Sequence, residues 1–126
     1  MKASELRIGN YVWEDYGGDY VVTSIHNKFF GTIGLTKPSF KTEGVYLVDE
    51  IKPILLTEEW LLKFGFEPKG TEPIMFTNGR YNYFPSSKYF GNTRNNGGLI
   101  HSNVRHVHQL QNLYFALTGE ELTIKE

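Results

Sequence analysis

Residues Val107 to Thr118 constrain this chain more than any other stretch. Val107, Leu110, Leu113, Tyr114 and Leu117 recur at the spacing of one helical face. At 3.6 residues per turn they form an apolar stripe roughly 120° wide. Gly119 follows where a helix stop favours a left-handed residue. His108, Asn112 and Ala116 fall on the opposite side and are expected to meet solvent. A helix of about 12 residues is marginal alone in water, so the stripe must be buried against another element. The remainder of the chain is rich in β-branched and aromatic residues, so that element is a sheet and the fold class is α+β.

The N-terminal part reads as short strands. Leu6–Val12 is a turn feeding a first strand through Trp13, followed by strands at Tyr20–Ile25, Phe29–Leu35 and Val45–Val48. His26-Asn27 marks a tight turn and Pro38 a loop. Four short strands joined by polar turns fit a curled antiparallel sheet, either an SH3-like barrel or an open meander. Thr57-Glu58-Glu59-Trp60-Leu61-Leu62-Lys63-Phe64-Gly65-Phe66 reads as a short capped helix. Thr57 caps it, the two glutamates suit its positive end, and Gly65 with Phe66 closes it. Glu67–Glu72 reads as loop. Asn78-Gly79 between the aromatic runs 73–77 and 80–84 signals a hairpin. A short strand at Lys88–Phe90 and a last one at Leu99–Val104 lead into the C-terminal helix, and Leu122 and Ile124 tuck the tail back. One domain over residues 1–126 is expected, with a β-rich subregion 1–55 and an α+β subregion 56–126.

Charge is distributed unevenly. The formal net charge is −1, which sets up no global field toward DNA or a membrane. Yet Pro73 to Gly119 holds no Asp or Glu, while Arg80, Lys88, Arg94 and Arg105 give it a formal +4. Within that segment cations alternate with Tyr81, Tyr83, Phe84, Tyr89 and Phe90, ahead of Asn95-Asn96-Gly97-Gly98. Cations set among aromatic faces suit bases stacked between neutralised phosphates, and a Gly/Asn loop can turn backbone N–H groups toward an anion. The competing reading is an ordinary hairpin with rings alternating between core and solvent. No Gly-Lys-Ser/Thr follows the glycines, so a P-loop is excluded.

Other chemistries are poorly served. Cysteine is absent, so disulfides and thiolate metal sites are excluded. His101, His106 and His108 lack a nearby carboxylate, and no metal or cofactor is expected. The carboxylates come as adjacent pairs on turns and helix ends, a poor arrangement for paired acid–base catalysis. Ser86, Ser87 and Ser102 lack a nucleophile-elbow context. No apolar run suggests a signal peptide or a membrane span, so a cytoplasmic protein is expected.

Three blocks, 5–12, 56–66 and 107–122, resemble a family of small proteins from Bacteroidales genomes, their prophages and mobile elements. The resemblance covers about a third of the chain. It implies a bacterial or phage cytoplasm and an accessory role, with no activity or catalytic residue to transfer. The resulting expectation is a non-catalytic protein binding a nucleotide signal or single-stranded nucleic acid. Arg80, Lys88, Arg94 and Arg105 would hold phosphate, and Tyr81, Tyr83 and Tyr89 would offer stacking faces. The alternative is a structural or protein-interaction component, a virion or assembly protein or a homo-oligomer, with no small-molecule ligand.

Overall fold

A computed structural model describes residues 5–15, 18–26, 32–37, 43–70, 75–92 and 99–125. The fold is α+β. By its contacts the chain divides into two compact units, Met1–Leu55 with His106–Glu121 and Leu56–Arg105 with Leu122–Glu126.

The first unit is built on strands β1 (Tyr11–Glu14), β2 (Gly18–His26), β3 (Thr32–Thr36), β4 (Glu43–Leu47) and β5 (Ile51–Lys52). They form one antiparallel sheet in the order β4-β3-β2-β1-β5. A 3-10 turn, Val48–Glu50, separates β4 from β5 and lets the chain return to pair with β1. The sheet curls as an SH3-like half-barrel, with β4 and β5 as the two ends of its ladder. Period-2 alternation decides its inner face. Val12, Val22, Ile33 and Leu35 are fully buried there with Leu6, Val48 and Ile51, and Tyr20, Ile25 and Tyr46 border them. A bulge between Val22 and Ser24 keeps Val22 and Ile25 on that face. His26 ends β2, and Asn27 of the turn expected there, with the start of the third strand, lies outside the described residues.

The C-terminal helix, α2 (Val107–Thr118), belongs to this first unit. The chain leaves the unit at Leu55 and re-enters at His106, where the Leu55–His106 bridge and a 2.8 Å bond from Val107 N–H to Ile54 C=O join the two passages. The Gln109 side chain accepts from the His106 N–H and closes the helix start. Gly119, at φ 72°, donates to Phe115 C=O and closes its end.

The buried face of α2 departs from the apolar stripe. Val107, His108, Leu110 and Gln111 are buried, whereas Leu117 is 39% exposed. Polar residues take the helix into the N-terminal segment. Gln111 Oε1 accepts from Tyr11 N–H at 2.9 Å, and its Nε2 donates to Gly9 C=O at 3.0 Å. The amide thus pairs with the backbone of residues 9 and 11 as a neighbouring strand would. Asn112 Oδ1 accepts from Asn10 Nδ2 and Arg7 Nη1, and Asn112 Nδ2 donates to Glu5 C=O. Arg7 also pairs with Glu121 and lies 4.0 Å from the Phe115 ring centroid. Of the three residues expected to meet solvent, only Ala116 is exposed. Hydrogen-bonding capacity, which a hydropathy stripe does not register, selects the contacting side.

The second unit holds helix α1 (Glu58–Lys63) and strands β6 (Glu67–Lys69), β7 (Met75–Thr77), β8 (Tyr81–Phe84), β9 (Tyr89–Asn92) and β10 (Leu99–His101). The strands form a second antiparallel sheet, ordered β10-β9-β8-β7-β6. Thr57 caps α1 by accepting from Trp60 N–H. Gly65 at φ 87° then allows Gly65 N–H to reach Leu62 C=O and Phe66 N–H to reach Leu61 C=O, a Schellman closure. The loop expected at 67–72 instead begins with β6. All three of its residues are exposed, and it contains Pro68, which the end position of a sheet tolerates. Pairing of Thr77 with Asn82 shifts the hairpin corner to Gly79-Arg80. Asn78 Oδ1 accepts from Arg80 and Tyr81 N–H and so folds the turn with its side chain. In the tail, Leu122 is buried and Lys125 N–H bonds Lys63 C=O. Among the described residues no helix is long and apolar enough to cross a membrane.

Candidate functional site

The acid-free segment supplies β7 to β10, and strand alternation sorts its aromatic residues. Tyr81, Tyr83 and Phe90 share a face with Phe76, which pairs with Tyr83. All four are buried, and the Tyr81 and Phe90 rings stack at 5.2 Å. The Tyr83 hydroxyl donates to Val104 C=O at 2.6 Å. Burial pushes its pKa up to about 12, against the opposing pull of Arg105. Tyr81 and Tyr83 therefore build the core of the second unit and offer no stacking face, which corrects the expectation for both. Phe84 and Tyr89 pair on the opposite face, and Tyr89 is 45% exposed.

The cations divide between the two ends of β8. Arg80 is exposed at the β7–β8 corner, with its guanidinium 5.3 Å from the Tyr81 ring centroid. Lys88 ends the connection from β8 to β9. Tyr81 and Phe84 are three strand steps apart, about 10 Å. Arg80 is thus separated from Lys88 and Tyr89 by the length of the strand. Arg94 and the 95–98 Gly/Asn loop lie outside the described residues.

A tighter group forms at the Lys88 end. Lys88 N–H bonds Phe84 C=O at 2.8 Å, closing the Pro85-Ser86-Ser87-Lys88 return. Lys88 C=O accepts from Val104 N–H at 3.0 Å, which brings the chain after β10 alongside. Arg105 follows directly, exposed, with Nε bonded to Asn103 Oδ1 and its C=O accepting from Leu56 N–H. Lys88 at φ 61° and Asn103 at φ 66° are the non-glycine residues with positive φ among those described, and both are here. Asparagine tolerates this region, whereas a lysine pays about 1–2 kcal/mol for it. Ser86 and Ser87 are exposed beside them. Lys88, Tyr89 and Arg105 together provide two cations and a phenol on a backbone held by hydrogen bonds.

His101 is exposed on β10, while His106 and His108 belong to the first unit and stack at 5.9 Å. His106 reaches His108 because it is still extended where the helix begins. Among the described residues no group of three His, Cys, Asp or Glu is arranged to hold a metal ion. Lys88, Tyr89 and Arg105 are among the contacts expected from the sequence; Asn103 and the left-handed backbone are not. The signal available was a four-residue Pro-Ser-Ser-Lys return between two aromatic runs, whose last position turns left-handed. Comparison with protein-family models, curated proteins and solved structures finds no match to this chain.

Proposed function

We propose that this chain is a non-catalytic binding protein for a phosphate-bearing ligand, a nucleotide or a short single strand, taken at Lys88, Tyr89 and Arg105. The observation that carries this reading is the backbone of Lys88. A half-buried turn position at φ 61° is cheapest for glycine or asparagine, yet it holds a cation. Tyr89 presents a ring to a base, Arg105 offers forked donors to phosphate, and no acid from Pro73 to Gly119 offsets them.

The test is a titration with a labelled short oligonucleotide and, separately, a nucleoside triphosphate. Two phosphate contacts on a single strand should lose roughly sevenfold in affinity between 50 and 200 mM salt. Lys88→Gly with Arg105→Gln should abolish binding, while Arg80→Gln should leave it within about twofold. Equal losses from Arg80→Gln, or no binding at low salt, would remove this reading.

One observation favours the alternative of a protein-interaction component. Val45 and Leu47, 65% and 46% exposed, lie on β4 at the end of the first sheet. An apolar contact there would be insensitive to salt, unlike a phosphate site.

A further inference from the structure

The inner face of the half-barrel carries a polar group that the phosphate site does not use. Alternation along β1 puts Glu14 on the same face as the fully buried Val12, and Glu14 is 5% exposed. Tyr20 pairs with Val12 and Tyr46 with the buried Ile33, so both rings share that face. They lie 5.8 Å apart, inclined at 51°. The neighbouring Tyr46 hydroxyl, then burial and the nearby Glu14, raise the Tyr20 pKa. Gly44 makes room for this arrangement. A Cβ on Gly44 would fall 2.9 Å from Tyr46 Cε2 and 3.3 Å from its hydroxyl. Lys37, directly after β3, places its ammonium 5.9 Å from the Tyr20 ring centroid.

We propose that Tyr20, Tyr46 and Glu14 form a binding site for an organic ammonium group, with the Lys37 side chain as its internal competitor. The pieces match that chemistry. Tilted tyrosine faces present negative π-density, which attracts large, weakly hydrated cations. Glu14 adds a carboxylate in a setting where desolvation strengthens its pull on a cation. Hard metal ions take several oxygen ligands in a shell, which a single carboxylate and two ring faces do not supply. Tyr20 and Tyr46 are both half-buried, so each residue keeps part of its surface in solvent. Lys37 already samples the Tyr20 face, and a trimethylated ammonium would exploit it better by shedding less water.

The experiment titrates tetramethylammonium chloride into the full chain and follows the tyrosine ring signals by NMR, with sodium chloride at equal ionic strength as reference. Saturable shifts confined to Tyr20 and Tyr46 are expected. Lys37→Met should tighten binding several-fold by removing the competitor. Glu14→Gln should weaken it about tenfold, within the range of a partly desolvated ion contact. Gly44→Ala should weaken it as well by displacing the Tyr46 ring. Ring signals that stay put in Lys37→Met protein, or Glu14→Gln protein binding like wild type, overturn the proposal. If Glu14→Gln does not fold, Lys37→Met decides alone: tighter binding upholds the site, and unmoved rings end it.

Discussion

The two units solve one problem differently. Each holds a helix and a five-stranded sheet, but the polar bonds that fix α2 in the first unit come from amides. Gln111, Asn112 and Asn10 meet the backbone of residues 5 to 11 and one another. The second unit buries Trp60, Phe64, Phe66, Phe76, Tyr81, Tyr83 and Phe90, a set dominated by rings. Amides are directional: they specify one register, and deleting one leaves its partners unpaired. Rings are governed by volume and tolerate exchange of similar shapes. The first unit should therefore be brittle toward small polar changes and the second toward loss of bulk.

The sharpest break in this comparison is Gln111→Leu. It keeps the volume but orphans Tyr11 N–H and Gly9 C=O, each costing about 1–3 kcal/mol, so a loss of about 2–5 kcal/mol is expected in chemical denaturation. A near-neutral result would show that the amide seam adds nothing. In the second unit Tyr83→Phe keeps the ring and loses only the bond to Val104. It should cost about 1–2 kcal/mol, well below the roughly 3–5 kcal/mol of Tyr83→Ala. If Tyr83→Phe equals Tyr83→Ala, the hydroxyl and not the ring holds this sheet.

The contrast also explains what could be read in advance. The α2 bounds, the left-handed Gly65 and Gly119 and the Asn-Gly hairpin were legible because each rests on local chemistry within a few residues. The helix face was not. Leu117 completes the stripe yet is 39% exposed, while Gln111 is 1% exposed. Its partners are about a hundred residues away in sequence, and nothing local announces them. β6 was missed because Glu67-Pro68-Lys69 carries no apolar pattern; only its neighbour β7 makes it a strand. At the candidate site, residue types were legible and placement was not. Counting cations identified Arg80 and Arg105 alike, but only strand register separates the ends of β8.

A pH experiment probes the first unit again. His108 is 4% exposed, and its Nδ1 has no hydrogen-bond partner. Burial, and then the neighbouring His106, hold its pKa below the ordinary 6.5, against the opposing pull of Glu5. A depressed folded pKa means that the unfolded chain binds the proton first. Stability is then complete above about pH 6.5 and declines as pH falls below it, through the lower folded value. Melting temperature should drop between pH 7.5 and pH 5, and His108→Gln should flatten that slope. An unchanged slope in the variant would assign the acid sensitivity elsewhere.

The smallest effect has the opposite sign. Lys88→Gly should stabilise the second unit, because glycine adopts φ 61° without the Cβ penalty that lysine bears. Glycine's greater freedom in the unfolded chain offsets part of this, leaving a gain of about 0.5 kcal/mol. Asn103→Gly should be nearly neutral, since asparagine tolerates the same region. The pair separates a strained position from a merely unusual one under identical measurement. A Lys88→Gly protein that melts higher yet no longer binds the oligonucleotide would show a position kept for its charge at the expense of stability, the trade expected where strain serves a site. A Lys88→Gly protein that melts lower would mean that the lysine stem packs usefully. The left-handed backbone would then be a consequence of the Pro-Ser-Ser return and no mark of function.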